Sequence, residues 1–81
     1  MTGQTIIASQ VRAGRGLLDW SQARLAEAAG VGLSTVRDFE AGRRVPYRSS
    51  LDAIRVALET AGVDFIARNG GGPGVRLRAS D

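Results

Sequence analysis

The chain contains no cysteine, no histidine and no lysine. Without cysteine no disulfide can staple the fold, and a cytoplasmic setting is expected. Without cysteine and histidine, zinc sites of the usual kinds are excluded. A histidine-based acid/base pair or catalytic triad is excluded with them. No apolar run approaches the ~20 residues that span a bilayer, and no basic segment followed by an apolar one reads as a secretory signal. No paired-carboxylate pocket can be read either. The expectation is a protein with no enzymatic activity, no metal, no cofactor and no membrane association.

The 81 residues are 43% apolar and 23% charged, the composition of one small globular domain with limited burial capacity. All eleven basic residues are arginine, with a net charge of +3 and a sequence pI near 11. Arginine suits bidentate contacts to phosphate and guanine. A codon bias accounts for the lack of lysine, so the positions of the arginines carry more information than their kind.

The most informative stretch is residues 21–44, SQARLAEAAGVGLSTVRDFEAGRR. Ser21 is a helix N-cap residue. The next eight residues read as helix, with Leu25 and Ala29 on one face at i,i+4. Gly30 stops that helix, because glycine tolerates the left-handed conformation in which helices end. Gly32 or Leu33 starts a second helix, with Val36 and Phe39 on its buried face and Gly42 as its stop. Two helices joined by about three residues cross steeply, in helix-turn-helix geometry. Gln22, Leu25, Ala26, Gly30, Val31, Val36, Phe39, Glu40 and Gly42 stand in the spacing of a known pattern. In it the stretch resembles the helix-turn-helix of Cro/CI-type (XRE) DNA-binding regulators, and the resemblance runs from about Val11 to Ala61. It implies a mainly α fold, a lambda-repressor-like four-helix domain, to which the sequence adds a C-terminal β-hairpin. Ala26 is small because the second helix crosses over it. Leu25, Val31, Val36 and Phe39 form the wedge between the two helices.

Around this unit the chain reads as follows. Residues 1–4 have little to bury and are expected to fray, as are residues 79–81. Thr5 is the expected N-cap of a first helix that runs to about Arg15, with Ile7 and Val11 on one face and Gly14 and Gly16 weakening its end. Arg12 and Arg15 either match the family's basic first helix, which crosses the DNA backbone, or form a solvated face. Leu17 and Trp20 are expected to anchor the first helix against the second. Trp20 is a core plug or a stacking aromatic. After Gly42 comes a basic loop in which Pro46 forbids helix. Ser49 and Asp52 have the spacing of a capping box for a fourth helix over residues 49–61, with Leu51, Ile54, Leu58 and Ala61 as its core stripe and Gly62 as its C-cap. Residues 63–66 and 75–78 read as two strands joined by a glycine-rich tip. The chain is therefore expected to divide into a helix-turn-helix domain over residues 1–62 and a hairpin tail over residues 63–81.

The resemblance implies that the second helix of the motif enters the major groove of double-stranded DNA. Its outward residues Leu33, Ser34, Arg37 and Asp38 are the expected base contacts. Arg37 has the fork for guanine, Ser34 can donate to a base edge or a phosphate, and Leu33 can touch a thymine methyl. Asp38 can accept from cytosine N4 or orient a neighbouring arginine. Expected phosphate contacts are Gln22, Arg12, Arg43, Arg44 and Tyr47; Arg43 and Arg44 can also satisfy the last carbonyls of the recognition helix. Gly32 stands where the family often has serine or threonine, and glycine caps nearly as well. Val63, Phe65, Val75 and Leu77 give the hairpin one apolar face. Its outer strand leaves an unpaired edge, with which a second copy can pair to give a four-stranded sheet and a homodimer whose recognition helices lie ~34 Å apart, or the hairpin can fold back on its own helices. Two functions fit: a sequence-specific transcriptional regulator such as a repressor, or a protein-interaction module, antitoxin-like or anti-activator, that keeps the fold and binds a regulatory protein partner.

Overall fold

The structure, a computed structural model, describes residues 5–79, so the fraying expected of residues 1–4, 80 and 81 lies outside the described residues. Four helices come first: α1 (Ala8–Leu18), α2 (Gln22–Ala29), α3 (Leu33–Glu40) and α4 (Arg48–Thr60). Two antiparallel strands, β1 (Val63–Ile66) and β2 (Gly74–Leu77), then form a hairpin, with Val63 opposite Leu77 and Ile66 opposite Gly74. The mainly α architecture with its C-terminal hairpin is the one the sequence implies.

The first helix begins later and runs further than expected. Its N-cap is Ile7, not Thr5. The side chain of Gln10 reaches back one turn, and its Oε1 accepts the Ile7 N–H at 3.0 Å. A glutamine at the third helical position can do this for the cap residue. The buried residue at this end is accordingly Ile6, while Ile7 is exposed. At the other end α1 continues through Gly14 and Gly16 and stops at Asp19, which holds φ 60°. Packing overrides the low helix propensity here. Gly14 lies against Leu58 and Val63, so the helix is held where its glycines would loosen it. That extension turns Leu17 outward; Leu18 and Trp20 take the anchoring role given to Leu17 and Trp20.

Helix α4 starts at Arg48 behind Tyr47, and the capping box of Ser49 with Asp52 does not form. With Ser49 already inside the first turn, Asp52 accepts from Arg55 Nη2 at 3.2 Å instead. Ala61, not Gly62, is the C-cap; Gly62 takes φ 114° and turns the chain into β1.

The core centre is Val11, Leu25, Val36, Ile54, Leu58 and Val63, all fully enclosed. Phe39 and Ala26 are buried beside them, and Leu51 is packed against them half-buried. Val63 belongs to β1, so the boundary expected after Gly62 runs through this core. Gln10, itself buried, ties the hairpin down: its Nε2 donates to the carbonyls of Gly74 at 3.0 Å and Ile66 at 3.4 Å. On the outer face Asp64 accepts from Arg78 Nε at 3.2 Å and stands 4.0 Å from Arg76. The second strand starts at Gly74 and ends at Leu77, one residue earlier than the alternation predicts.

Two stability changes follow from this packing. A Cβ at Gly16 meets nothing within 4 Å. Gly16→Ala should therefore raise stability by about 0.5–1 kcal/mol through backbone entropy alone, read as a higher urea midpoint. Phe39→Ala should cost about 3–5 kcal/mol, most of the stability of so small a domain. Loss of the cooperative transition in a thermal melt is the expected result; a normal melt would contradict the position of Phe39 in the core.

Candidate nucleic-acid interface

The turn between α2 and α3 is set by backbone geometry. Gly30 takes φ 69°; its N–H donates to the Glu27 carbonyl at 3.3 Å, and the Val31 N–H donates to the Ala26 carbonyl at 3.1 Å. These two bonds close the left-handed helix end that glycine permits. Gly32 then opens α3 as N-cap with no side-chain bond. Ser21 caps α2 as expected, accepting the Arg24 N–H at 3.0 Å.

The far end of α3 is clamped from beneath. Glu40 is buried, and both its carboxylate oxygens are gripped by Arg15 of α1, Oε2 by Nε and Oε1 by Nη2, each at 2.7 Å. Arg15 Nη1 also donates to the Trp20 carbonyl at 2.9 Å. Gln22 Nε2 donates to Glu40 Oε1 at 3.1 Å, and Arg12 Nη1 donates to the Glu40 backbone carbonyl. The hydrogen bonds that Arg15 donates to Glu40 hold its guanidinium pKa above the ordinary value, against the opposing effect of burial. One glutamate thus joins α1, α2 and α3. Nothing local in the sequence announces this pair, since its members stand 25 residues apart. The solvated face allowed for Arg12 and Arg15 does not describe Arg15, which is an internal ligand of Glu40.

The outward side of α3 carries Ser34 and Arg37, both exposed and without a partner among the described residues. Leu33 does not join them: it is half-buried and packs against the core. Starting the helix at Leu33 puts it in line with Val36 and Glu40 at i+3 and i+7, which are its buried positions. Asp38 is half-buried and bonded to Arg43 Nη1 at 3.1 Å. The Asp38 carbonyl also accepts the N–H groups of Arg43 at 2.9 Å and Arg44 at 3.4 Å.

The loop after α3 stands open. Val45 is 77% and Tyr47 85% exposed, which is unusual for such side chains, and Arg44 is exposed without a partner among the described residues. Ser34, Thr35, Asp38, Arg44 and Tyr47 line a shallow hollow between α3 and this loop. Gln22 is part of the Glu40 clamp; one of its two amide hydrogens goes to Glu40, leaving the other available.

The profile of the helix-turn-helix domain family matches residues 6–67. The chain belongs to this family. The match begins at Ile6, the first buried residue among those described, and runs through all four helices and β1. At this level the helix-turn-helix protein is a DNA-binding domain of the regulatory kind. No curated protein matches the chain. Among the described residues no group of three or more acidic, histidine or cysteine side chains could hold a metal ion, and no helix is long and apolar enough to cross a membrane.

The four hairpin residues expected to dimerise do not form an open face. Val63 is sealed in the core, Phe65 and Val75 pack against it, and only Leu77 stays exposed, at 48%. The hairpin spends its apolar face on α1 and α4, because a four-helix core this small leaves Gly14 and Leu58 to be covered, while its outer edge is untouched by this packing.

Breaking the clamp tests its weight. Glu40→Ala strips Arg15 and Gln22 of their acceptor at a buried site. A loss of about 3–5 kcal/mol is expected by chemical denaturation. A loss below about 1 kcal/mol would mean that the pair does not hold the helices.

Proposed function

We propose that this helix-turn-helix protein is a sequence-specific DNA-binding transcriptional regulator that presents α3 to the major groove. One observation carries the reading: Ser34 and Arg37 stand exposed on α3 without a partner among the described residues, while the two acidic side chains of that helix, Asp38 and Glu40, are bonded internally. Unsatisfied donors on a rigid, clamped helix are available for base edges. Arg37 is the reader, its fork matching guanine O6 and N7. Ser34, nearer the helix start, supports it at a neighbouring base or phosphate.

The flanking groups suit the phosphates. Arg44 has a guanidinium unengaged among the described residues, Tyr47 is exposed, and Gln22 has a spare amide hydrogen at the first turn of α2. Arg12 and Arg43 each have donors left over after their intramolecular bonds. Contacts of this kind fix orientation without reading sequence. Leu33 is assigned no direct base contact, since its side chain supports the core.

Binding to duplex DNA should weaken steeply with salt, by about 0.9 log units in affinity per phosphate contact for each log unit of salt. Arg37→Ala should cost about 1–3 kcal/mol and relax preference at one base pair. Arg44→Ala should weaken binding to every sequence alike and flatten the salt slope by about one. Fluorescence anisotropy over a salt series, with duplexes drawn from a selection experiment, measures all three. A salt-independent or absent response to DNA would favour a protein-interaction role instead.

A further inference from the structure

Asp38 is the one acidic side chain of α3 that reaches solvent, since Glu40 is buried. It lies one residue beyond Arg37, on the side that faces the basic loop. Its position is fixed twice over. The carbonyl accepts the N–H groups of Arg43 and Arg44, and the carboxylate is bonded to Arg43 Nη1 at 3.1 Å. The Asp38 side chain is 32% exposed and that of Arg43 69%, so the arginine is free to leave and the carboxylate is not.

A carboxylate is a poor group to set against DNA. It only accepts hydrogen bonds, and phosphates, guanine O6 and N7 and thymine O4 are acceptors too. In the major groove only the amino groups of cytosine and adenine can donate to it. While Arg43 stays on Asp38, the negative charge is masked but part of the Arg43 charge is spent on it, and its remaining donors reach a phosphate only from that tethered position. When Arg43 moves to a phosphate, Asp38 is left unpaired beside a polyanion. Generic DNA therefore meets an obstacle either way. Only a site with an amino group opposite Asp38 satisfies the carboxylate and frees Arg43 together.

We infer that Asp38, through its pair with Arg43, is a selectivity filter that suppresses binding to generic DNA and demands cytosine or adenine at one position of the site. Specificity is a difference of affinities, and a repulsive element against wrong partners widens it. This inference rests on the proposed presentation of α3 to the major groove.

The test compares Asp38→Asn and Asp38→Ala with the parent protein on random-sequence duplex and on the duplex that the parent selects. Thermal melts check that both variants fold. Both should bind random duplex about five- to tenfold more tightly, with a salt slope steeper by about one as Arg43 is released. Affinity for the selected duplex should rise less or fall, so the preference ratio drops about tenfold. Selection with the variants should lose a cytosine-or-adenine requirement at one position. In an Arg43→Ala background Asp38→Asn should leave the salt slope unchanged. If the parent binds DNA but Asp38→Asn changes neither the random-duplex affinity nor the preference ratio, the filter is refuted while the DNA-binding reading stands. A parent protein that binds no DNA at any salt would overturn both.

Discussion

The fold turns on a buried charge pair. Arg15 and Glu40 face each other on two parallel hydrogen bonds of 2.7 Å, in a domain with few other polar contacts inside. An ion pair out of water repays its desolvation only with good geometry and with its remaining polar atoms satisfied. Both conditions hold. The guanidinium is shared between the carboxylate and the Trp20 carbonyl, the carboxylate takes a third donor from Gln22, and no described buried side-chain polar atom lacks a partner. An apolar contact at this place would let α1, α2 and α3 slide on one another. A bidentate arginine does not, because its bonds are directional. The pair therefore fixes the angle at which α3 leaves the body of the domain, and with it the direction in which Ser34 and Arg37 point.

The same pair explains the division of labour among the arginines. Eleven guanidiniums in one small chain look interchangeable by composition. In the structure Arg15 is internal cement, Arg12 satisfies a carbonyl at the end of α3, and Arg78 ties the hairpin to Asp64 and to the Glu59 carbonyl. Arg24 lies over the Trp20 ring, 5.1 Å from its centroid. The side chains of Arg37, Arg44, Arg48 and Arg68 are unengaged among the described residues. The arginines are thus far from equivalent, and of the unengaged ones all but Arg68 lie on α3 or in the segment from the loop that follows it to the start of α4.

Much of this was legible from residue order alone. The helix-turn-helix carries short-range signals: Ser21 as cap, Gly30 at the turn, apolar residues three and four apart. Such signals act within a turn or two of backbone, and there the reading agrees with the structure. Expectations failed where distant parts of the chain decide. Helix α1 begins at Ala8 because Gln10 reaches back, and it persists past two glycines because Leu58 and Val63 cover it. Leu33 turned inward once the helix start was fixed at Gly32. Val63, Phe65 and Val75 looked like an open apolar face because a four-residue strand does not reveal what it lies against. The exposed Val45 lies in irregular backbone, where periodicity has nothing to say, whereas the bond of Asp38 to Arg43 is the one its alternative of orienting a neighbouring arginine allows.

The bond from Gln10 to Gly74 joins positions 64 residues apart. Long loops are slow to close, and contacts of high sequence separation come late in folding. The helix-turn-helix, built from neighbours, can assemble early, yet one flank of α1 stays bare until the hairpin arrives. During synthesis the hairpin also emerges after the four helices. A nascent chain can thus possess its reading helix before it possesses a sealed interior, and the glycine-rich hairpin is the latch that turns an early helical assembly into a finished protein.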